Sequence, residues 1–387
     1  MCINTSSFCV VVRISFSKAA HNYGFRIRAH DSRACWGQAC RHIPPHRSNA
    51  CNRRSNSVRL RYAPRSIVRM LSLCSVAIVT ATAPPSFAAG QQSDIPAWLA
   101  AHLGQGDGQV ARPVLQRARA LYMRKVSEGK VSNPCYFAMD ATRPNDPVDG
   151  GRFYIVCEAT QTFRVVSSGH GSGRDLKGVA NFGNGRMCAK NFGNAMDSNL
   201  TTGGSYMTEE TKTTFKGYYR SSQTKNMAFL RSFLQFDGEG ETANARQRAI
   251  GGHAAAKVAG ICMKKDPQSP YANRDGYVPL GKLVEYAGGR SDGCTSWSAS
   301  DANQIISMVK DNPTTLYIYP ESADINAVAK TVAAGRSAAQ AGLYWNDSCL
   351  KEIGAPKFWP KETLEPVIVQ YKKDHPAPPA RPIPICE

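Results

Sequence analysis

The stretch GGRSDGCTSWS, residues 288–298, decides how the rest of the chain is interpreted. Its single cysteine, Cys294, stands between Gly293 and Thr295, just before a segment typical of a helix start. A cysteine in such a turn is half of a disulfide, a metal ligand or a nucleophile. The charge distribution and the positions of the other cysteines discriminate among these three roles.

The chain has 387 residues and a net charge of +19, but the charge is unevenly distributed. Residues 1–69 hold 13 Lys and Arg residues and one acidic residue, Asp31. The remaining net charge of +7 is typical of a mildly basic globular protein that favours an anionic surface such as a bacterial envelope polymer. The sequence has no basic block interleaved with aromatic residues, so we expect no nucleic-acid partner.

The first 89 residues have the composition of segments that lie outside a folded domain. Residues 1–69 lack sustained periodicity, which indicates disorder or an over-extended gene model, and we favour the second. Residues 70–89 follow Arg65 and Arg69 and combine an apolar run with small residues at 86–88, as in a secretory signal peptide. An uncleaved anchor is the alternative. The run is too short for a spanning helix, so we expect no stable membrane span after cleavage and an exported protein of the bacterial periplasm or cell envelope.

Export predicts an oxidising compartment, in which cysteines tend to pair. Seven cysteines follow residue 89, so at least one is expected to stay free or to bridge to another chain. No two of them have the spacing C-x-x-C, and we expect no metal site. The cysteine left over is most economically Cys294. Sequence alone does not determine connectivity, and the pairs we consider are Cys349–Cys386, Cys135–Cys157 and Cys188–Cys262.

Hydrophobic periodicity predicts a β-rich chain with a few helices. Helices are predicted over 113–126, with Pro113 in the first turn, over 299–312, with Ser298 or Ser300 as N-cap, and over 324–345. A strand is also predicted to end near His253, and residues 260–287 form a long insertion of mixed character. Residues 171–205 are predicted to be loops around short strands. The other strands are predicted in 134–142, 151–160 and 161–171, which form an antiparallel meander, and in 229–238 and 314–320.

These segments divide the chain into five regions. We predict an over-extended or disordered N-terminus (1–69), a signal peptide (70–89), a linker with a flanking helix (90–130), a catalytic domain (131–321) and a helical and Pro-rich extension (322–387).

The glycine-rich segment GHGSGRDLKG matches neither of the two common phosphate-loop patterns. It does not fit G-x-x-x-x-G-K-[ST], and Arg174 occupies the last glycine position of G-x-G-x-x-G. We therefore expect no nucleotide cofactor.

A nucleophilic cysteine needs a base within hydrogen-bonding reach and backbone N–H donors for the oxyanion. Of the four histidines after residue 89, His170 and His253 are the candidate bases. The amides of Asp292, Gly293 and Cys294 can converge on one point, because Gly293 permits a tight turn. The cysteine turn thus has the ingredients of an acyl-transfer site.

Four motifs follow one another in the chain: GHGSG (169–173), NFGNAMDSNLTTGGSYMT (191–208), NARQRAIGGH (244–253) and GGRSDGC (288–294). In this order they resemble the YkuD-type L,D-transpeptidase catalytic domain, in particular its larger-insert murein L,D-transpeptidase subfamily. The resemblance covers about residues 130–320. It implies a mainly β fold, an L,D-transpeptidase-like β-sandwich or curled mixed sheet with a few flanking helices, and no cofactor.

The resemblance also implies an activity on peptidoglycan stem peptides. The cysteine would attack the carbonyl between the third residue, a diamino acid, and D-Ala, so that D-Ala leaves and a thioester forms. An amine of another stem then gives a 3→3 cross-link, or water resolves the thioester in an L,D-carboxypeptidase reaction. The implied roles are Cys294 as nucleophile, His253 as base, Ser291, Asp292 and Gly293 as the shapers of the oxyanion site, Arg290 as the basic position of the motif, and His170 as part of a loop whose role the sequence does not define.

Several positions depart from the family pattern. Asp292 stands where many members have histidine, Ala254 where glycine or serine follows the histidine, and Thr295 where proline is usual. Asp292 either raises the pKa of the thiol or orients His253, and the sequence leaves both open. The main alternative is a non-catalytic envelope-binding protein on the same scaffold, with Cys294 locked in a disulfide. A different cysteine hydrolase, such as an amidase, is a further alternative.

Overall fold

A computed structural model of the chain describes residues 95–145, 151–286 and 290–387, and of Arg290 only the backbone. The predicted signal peptide and the N-terminal region before it lie outside the described residues, as do residues 287–289 of the cysteine motif. All described residues belong to one compact unit, Thr82–Glu387. The boundaries predicted within it, at 130 and 321, stay predictions.

Strands form the larger part of the regular structure. The strands are β1 (Cys135–Asp140), β2 (Phe153–Cys157), β3 (Thr162–Val166), β4 (His170–Gly171), β5 (Asp175–Leu176), β6 (Ala180–Asn181), β7 (Asn191–Gly193), β8 (Gly204–Arg220), β9 (Asn226–Gly238), β10 (Gly251–Ala254), β11 (Ala256–Lys265), β12 (Tyr277–Glu285), β13 (Arg290–Ser291), β14 (Thr295–Trp297), β15 (Thr315–Tyr319) and β16 (Lys357–Trp359). The helices are α1 (Ala97–Ala100), α2 (Arg112–Ser127), α3 (Ala299–Val309), α4 (Ser322–Ala333), α5 (Asp347–Ile353) and α6 (Lys361–Asp374).

Ten strands form one mixed sheet. Eight lie in the order β14-β10-β9-β8-β15-β1-β2-β3, and the hairpin β11–β12 joins them through β8. The pairs β1–β15, β10–β14 and β8–β12 are parallel, whereas β1–β2, β2–β3, β8–β9 and β9–β10 are antiparallel. The predicted mainly β fold, with a mixed sheet, a few flanking helices and a β1–β2–β3 meander, is confirmed.

The central strands are covered on both faces, which explains their nearly continuous apolar sequences. Every residue of β1 and β2 is buried. On one face, Leu115 of α2 belongs to the same apolar cluster as Tyr136. On the other face, Ile305 of α3 and Val328 of α4 share a cluster with Phe137. The helix predicted over 113–126 is confirmed as α2, and Ser298 is the N-cap of α3.

Two regions differ from the predictions. The strand β8 runs for 17 residues, and the segment predicted as an insertion of mixed character contains the antiparallel hairpin β11–β12. These strands are largely half-exposed, so their polar faces dilute the apolar pattern that marks a strand. The helix predicted over 324–345 ends at Ala333, because Gly335 adopts a left-handed conformation with φ +68° and ends the helix.

The structure contains three disulfides, Cys135–Cys157, Cys188–Cys349 and Cys262–Cys386. The first pair is as predicted, while the pairs Cys349–Cys386 and Cys188–Cys262 are wrong. The reason is the path of the C-terminal region, whose last residues run along β11. There the Cys386 amide donates to the Met263 carbonyl over 3.0 Å, which places Cys386 beside Cys262.

Three disulfides are typical of a protein that matures in an oxidising compartment. Among residues 95–145, 151–286 and 290–387, none of the helices combines the length and the apolar character needed to cross a membrane.

Candidate functional site

Cys294 lies on the turn that leads into β14, and among the described cysteines it is the free one, as predicted. The Ser291 hydroxyl closes this turn by donating a hydrogen bond to the Cys294 carbonyl. Gly293 has φ +101°, and a Cβ at this position would lie 3.0 Å from the Leu200 carbonyl oxygen. A glycine is therefore required here for two reasons, its backbone conformation and the lack of space.

His253 lies on β10, the strand next to β14. The parallel register pairs Gly252 with Thr295 and His253 with Ser296. Cys294 is therefore level with Gly251, whose amide hydrogen-bonds the cysteine sulfur. Because side chains alternate along strands, His253 projects from the same face of β10 as the position of Gly251, and it lies two residues further along that strand. The predicted nucleophile, Cys294, and the predicted base, His253, therefore lie on neighbouring segments of the sheet, offset by two residues.

The imidazole of His253 has one ring nitrogen available as a base. Its Nδ1 lies 2.8 Å from the Ala254 carbonyl oxygen, and a carbonyl only accepts hydrogen bonds. Nδ1 therefore carries the proton and Nε2 is the basic nitrogen. Phe233 of β9 stacks on the ring with centroids 6.2 Å apart. Burial lowers the pKa of His253, so the imidazole is neutral at pH 7.

The thiol of Cys294 is also neutral in the free protein. Burial raises its pKa to about 11, opposed by the hydrogen bond from the Gly251 amide. The carboxylate of Asp292 raises the thiol pKa further, and the Arg248 guanidinium lowers it. With both groups neutral, attack by the sulfur on an electrophile would require a base that accepts the thiol proton during the same step.

This arrangement predicts the pH dependence of thiol reactivity. Alkylation of Cys294 by iodoacetamide is expected to accelerate roughly tenfold per pH unit from pH 7 to 10, because the thiolate is the reactive form. The rate is followed by mass spectrometry of the tryptic peptide 291–310, whose single cysteine is Cys294. The same peptide in urea-unfolded protein is the control and is expected to reach its plateau near pH 9. A plateau below pH 8 in the folded protein would contradict the assignment.

Asp292 is exposed, and its Oδ1 accepts a hydrogen bond from Asn199 Nδ2 over 3.1 Å. The sequence left two effects open for this carboxylate, orientation of His253 or a higher thiol pKa. The ring of His253 is instead held through Nδ1 by the Ala254 carbonyl. Asp292 does raise the pKa of Cys294, so the structure contains the second of the two effects.

The GHGSG loop is hydrogen-bonded to the chain segments on both sides of the cysteine turn. The backbone of His170 and Gly171 in β4 pairs with that of Arg290 and Ser291 in β13. The Gly169 amide donates to the Ser296 carbonyl over 2.8 Å, and the Ser172 amide donates to the Ser291 carbonyl over 2.7 Å. His170 is fully buried within this support. The loop therefore holds the chain on both sides of Cys294.

Arg248 also belongs to the site, although it is not among the site residues predicted from the sequence. It donates to Thr202 Oγ1 over 2.5 Å and to the Leu200 carbonyl over 2.7 Å, beneath the turn at Gly293. Burial lowers the pKa of Arg248. A signal was present, because Arg248 lies inside NARQRAIGGH and leads into a buried strand, where a charge needs internal partners.

The C-terminal region fixes the remaining motif, NFGNAMDSNLTT. Its strand β16 pairs in parallel with β7 at the start of this motif. The Met196 amide donates to Glu365 of α6 over 2.8 Å, and Lys372 pairs with Asp197 over 2.5 Å. Leu200 packs in one apolar cluster with Leu364 of α6. The extension therefore positions the loop that Arg248 and Gly293 contact.

All four motifs thus meet around one thiol. Within the described part of the chain, no group of three or more His, Cys, Asp or Glu side chains could hold a metal ion. The fold and the site define a class of protein in which a mixed sheet carries a buried cysteine beside one strand and a buried histidine on the next. No family model, no curated protein and no solved structure matches this chain.

Proposed function

We propose that the protein is an exported peptidoglycan L,D-transpeptidase that acts on stem peptides through a cysteine thioester. The observation that carries this proposal is the convergence of the four motifs. They are far apart in sequence, yet they surround the free Cys294, with His253 on the strand next to β14. Three disulfides accord with an exported protein.

In the proposed first step, Cys294 Sγ attacks the carbonyl carbon between the diamino acid and D-Ala. The sulfur–carbon bond forms as the thiol proton passes to His253 Nε2. The carbon–nitrogen bond then breaks, and the imidazolium returns the proton to the amine of departing D-Ala. The carbonyl oxygen carries negative charge between these events. The amides of Asp292, Gly293 and Cys294 precede the part of β14 that is paired with β10. We propose that these three amides donate hydrogen bonds to the negatively charged oxygen.

In the second step, a nucleophile attacks the thioester carbon and loses its proton to His253. The carbon–sulfur bond breaks, and the imidazolium returns the proton to Cys294 Sγ, which regenerates the thiol. With an amine of a second stem peptide the product is a 3→3 cross-link. With water it is a free tripeptide, and the protein is then an L,D-carboxypeptidase. Both outcomes use the same thioester, so they differ only in which nucleophile reaches it.

The second candidate is a non-catalytic envelope-binding protein on the same scaffold. The burial of the thiol, which is 9% exposed, and its pKa of about 11 favour this candidate. It also predicts a disulfide at Cys294, whereas the described cysteines leave Cys294 free. The free thiol with a base on the neighbouring strand therefore favours the enzyme.

The test is to incubate the protein with a stem tetrapeptide ending in D-Ala, and separately with a carbapenem. We expect one covalent adduct per chain by intact mass, located on peptide 291–310, together with release of D-Ala from the tetrapeptide. A donor ending in L-Ala is the matched control and is expected to give no adduct. Adding a second stem peptide distinguishes cross-linked dimer from free tripeptide. A protein that remains unmodified and releases no D-Ala would overturn the proposal and favour the binding protein.

A further inference from the structure

A second basic group lies on the same face of the sheet as His253. The antiparallel register pairs Phe233 of β9 with His253. Arg231 is two residues further along β9, so its side chain projects from the same face as those of Phe233 and His253. Cys294 is level with Gly251, which pairs with Gln235, so Arg231 lies four residues, about 13 Å, further along β9. An extended arginine side chain and a short peptide together span this distance, and the charge of Arg231 lowers the pKa of the Cys294 thiol, which burial raises. Arg231 therefore flanks the surface on which a substrate of Cys294 would lie.

Two other side chains lie near Arg231, the ammonium group of Lys216 and the phenol of Tyr286. Lys216 is the extra residue of a β-bulge between Phe215 and Gly217 of β8. Burial and then the charge of Arg231 lower the pKa of Lys216. Tyr286 directly follows β12; burial raises the pKa of its hydroxyl overall, and the nearby charge of Arg231 lowers this pKa. Arg231 is therefore within electrostatic reach of Lys216 on β8 and of Tyr286 after β12.

Among the described residues, Arg231 and Lys216 form no salt bridge, whereas Arg246 of the same region binds both Glu210 and Asp237. The nearby carboxylate of Asp292 is held by Asn199 on the other side of the cysteine turn. Adjacent cations repel each other, and an anion bound between them removes this repulsion.

We propose that Arg231, with Lys216 and Tyr286, is a subsite that receives a carboxylate of the acyl donor. The inference rests on the proposed function and names its substrate class: stem peptides whose side-chain or α-carboxylate near the scissile bond is free rather than amidated. Arginine suits this role, because its planar guanidinium binds a carboxylate through two parallel hydrogen bonds.

The test compares two stem tetrapeptides that differ only in one group, a free carboxylate or its primary amide. For the natural chain we expect KM to be about tenfold lower for the carboxylate. Arg231→Gln is expected to remove this preference, while Arg231→Lys retains part of it. Arg220→Gln, which makes the same charge change at the far end of β8, is the matched control and should behave as the natural chain. Thermal melting of each variant verifies that it is folded. An unchanged preference in Arg231→Gln would overturn the subsite.

A second readout separates failure of the subsite from failure of the proposed function. Iodoacetate and iodoacetamide alkylate the same thiol, and they differ by one negative charge. The rate ratio of iodoacetate to iodoacetamide at Cys294, measured on peptide 291–310 at low salt, is expected to fall about threefold or more in Arg231→Gln. If no stem peptide acylates the natural chain but this ratio falls, the transpeptidase proposal fails and the anion subsite stands. If stem peptides react but neither preference changes, the subsite fails and the transpeptidase proposal stands.

Discussion

Replacing Cys294 by alanine is expected to abolish both the covalent adduct and the release of D-Ala. Alanine removes the only atom that bonds to the acyl group, so residual activity should fall to the level of the buffer blank. The fold should survive, because the sulfur has only two weak hydrogen-bond partners among the described residues, the Ala249 carbonyl at 3.5 Å and the Gly251 amide. A loss of about 1 kcal/mol of unfolding free energy is expected from these weak contacts.

The matched control is Cys294→Ser, which keeps the shape of the side chain and its hydrogen bonds. Its hydroxyl ionises far less readily than a thiol, so it should also be inactive while melting close to the natural chain. Activity is measured by D-Ala release, and adduct formation by the mass of peptide 291–310. If the alanine variant released D-Ala at the natural rate, Cys294 would not be the nucleophile.

Replacing His253 by glutamine is expected to slow acylation by about 10²–10⁴-fold at pH 7. Glutamine retains hydrogen bonding but cannot accept the thiol proton as the sulfur attacks. The deficit should shrink, without vanishing, as pH rises towards about 11, because the thiol of Cys294 then ionises without a base while the departing amine still lacks its proton donor. This pH dependence is the measurement that distinguishes a base from a residue that only supports the fold.

His375→Gln is the control for this prediction. His375 is an exposed histidine whose ring stacks on Tyr371 of α6, far along the chain from the cysteine turn. It should acylate at the natural rate at every pH. A His253→Gln variant that is slowed equally at pH 7 and pH 10 would show that His253 positions the site without acting as the base.

The strands that are buried on both faces and the helices that have one continuous apolar face could be predicted from sequence. β1 and β2 are buried at each residue, and α2 has its apolar residues at helical spacing after Pro113. The half-exposed β8 was missed, since Thr and Lys on its outer face hide the apolar pattern. The disulfides show the same limit. Cys135 and Cys157 are paired across adjacent strands, whereas Cys188 and Cys349 are 161 residues apart and meet only through the C-terminal region.

For the candidate site, Cys294 and His253 could be selected from the sequence because both lie in short motifs with distinctive neighbours. Arg248 and Arg231 were not. Their importance depends on what surrounds them, which is a loop carbonyl and hydroxyl for Arg248 and a neighbouring cation for Arg231. Such surroundings come from strands and loops that are distant in sequence.

From the sequence by itself come the unpaired thiol, by an odd count of cysteines, and the tight turn at Gly293, by the local chemistry of glycine. The tertiary structure decided the role of Asp292, because only the folded chain shows that the Ala254 carbonyl holds His253 and that Asp292 raises the pKa of the thiol. The physical reason is that a pKa depends on burial and on charges in space, and both are set by the whole sheet and not by the neighbouring residues.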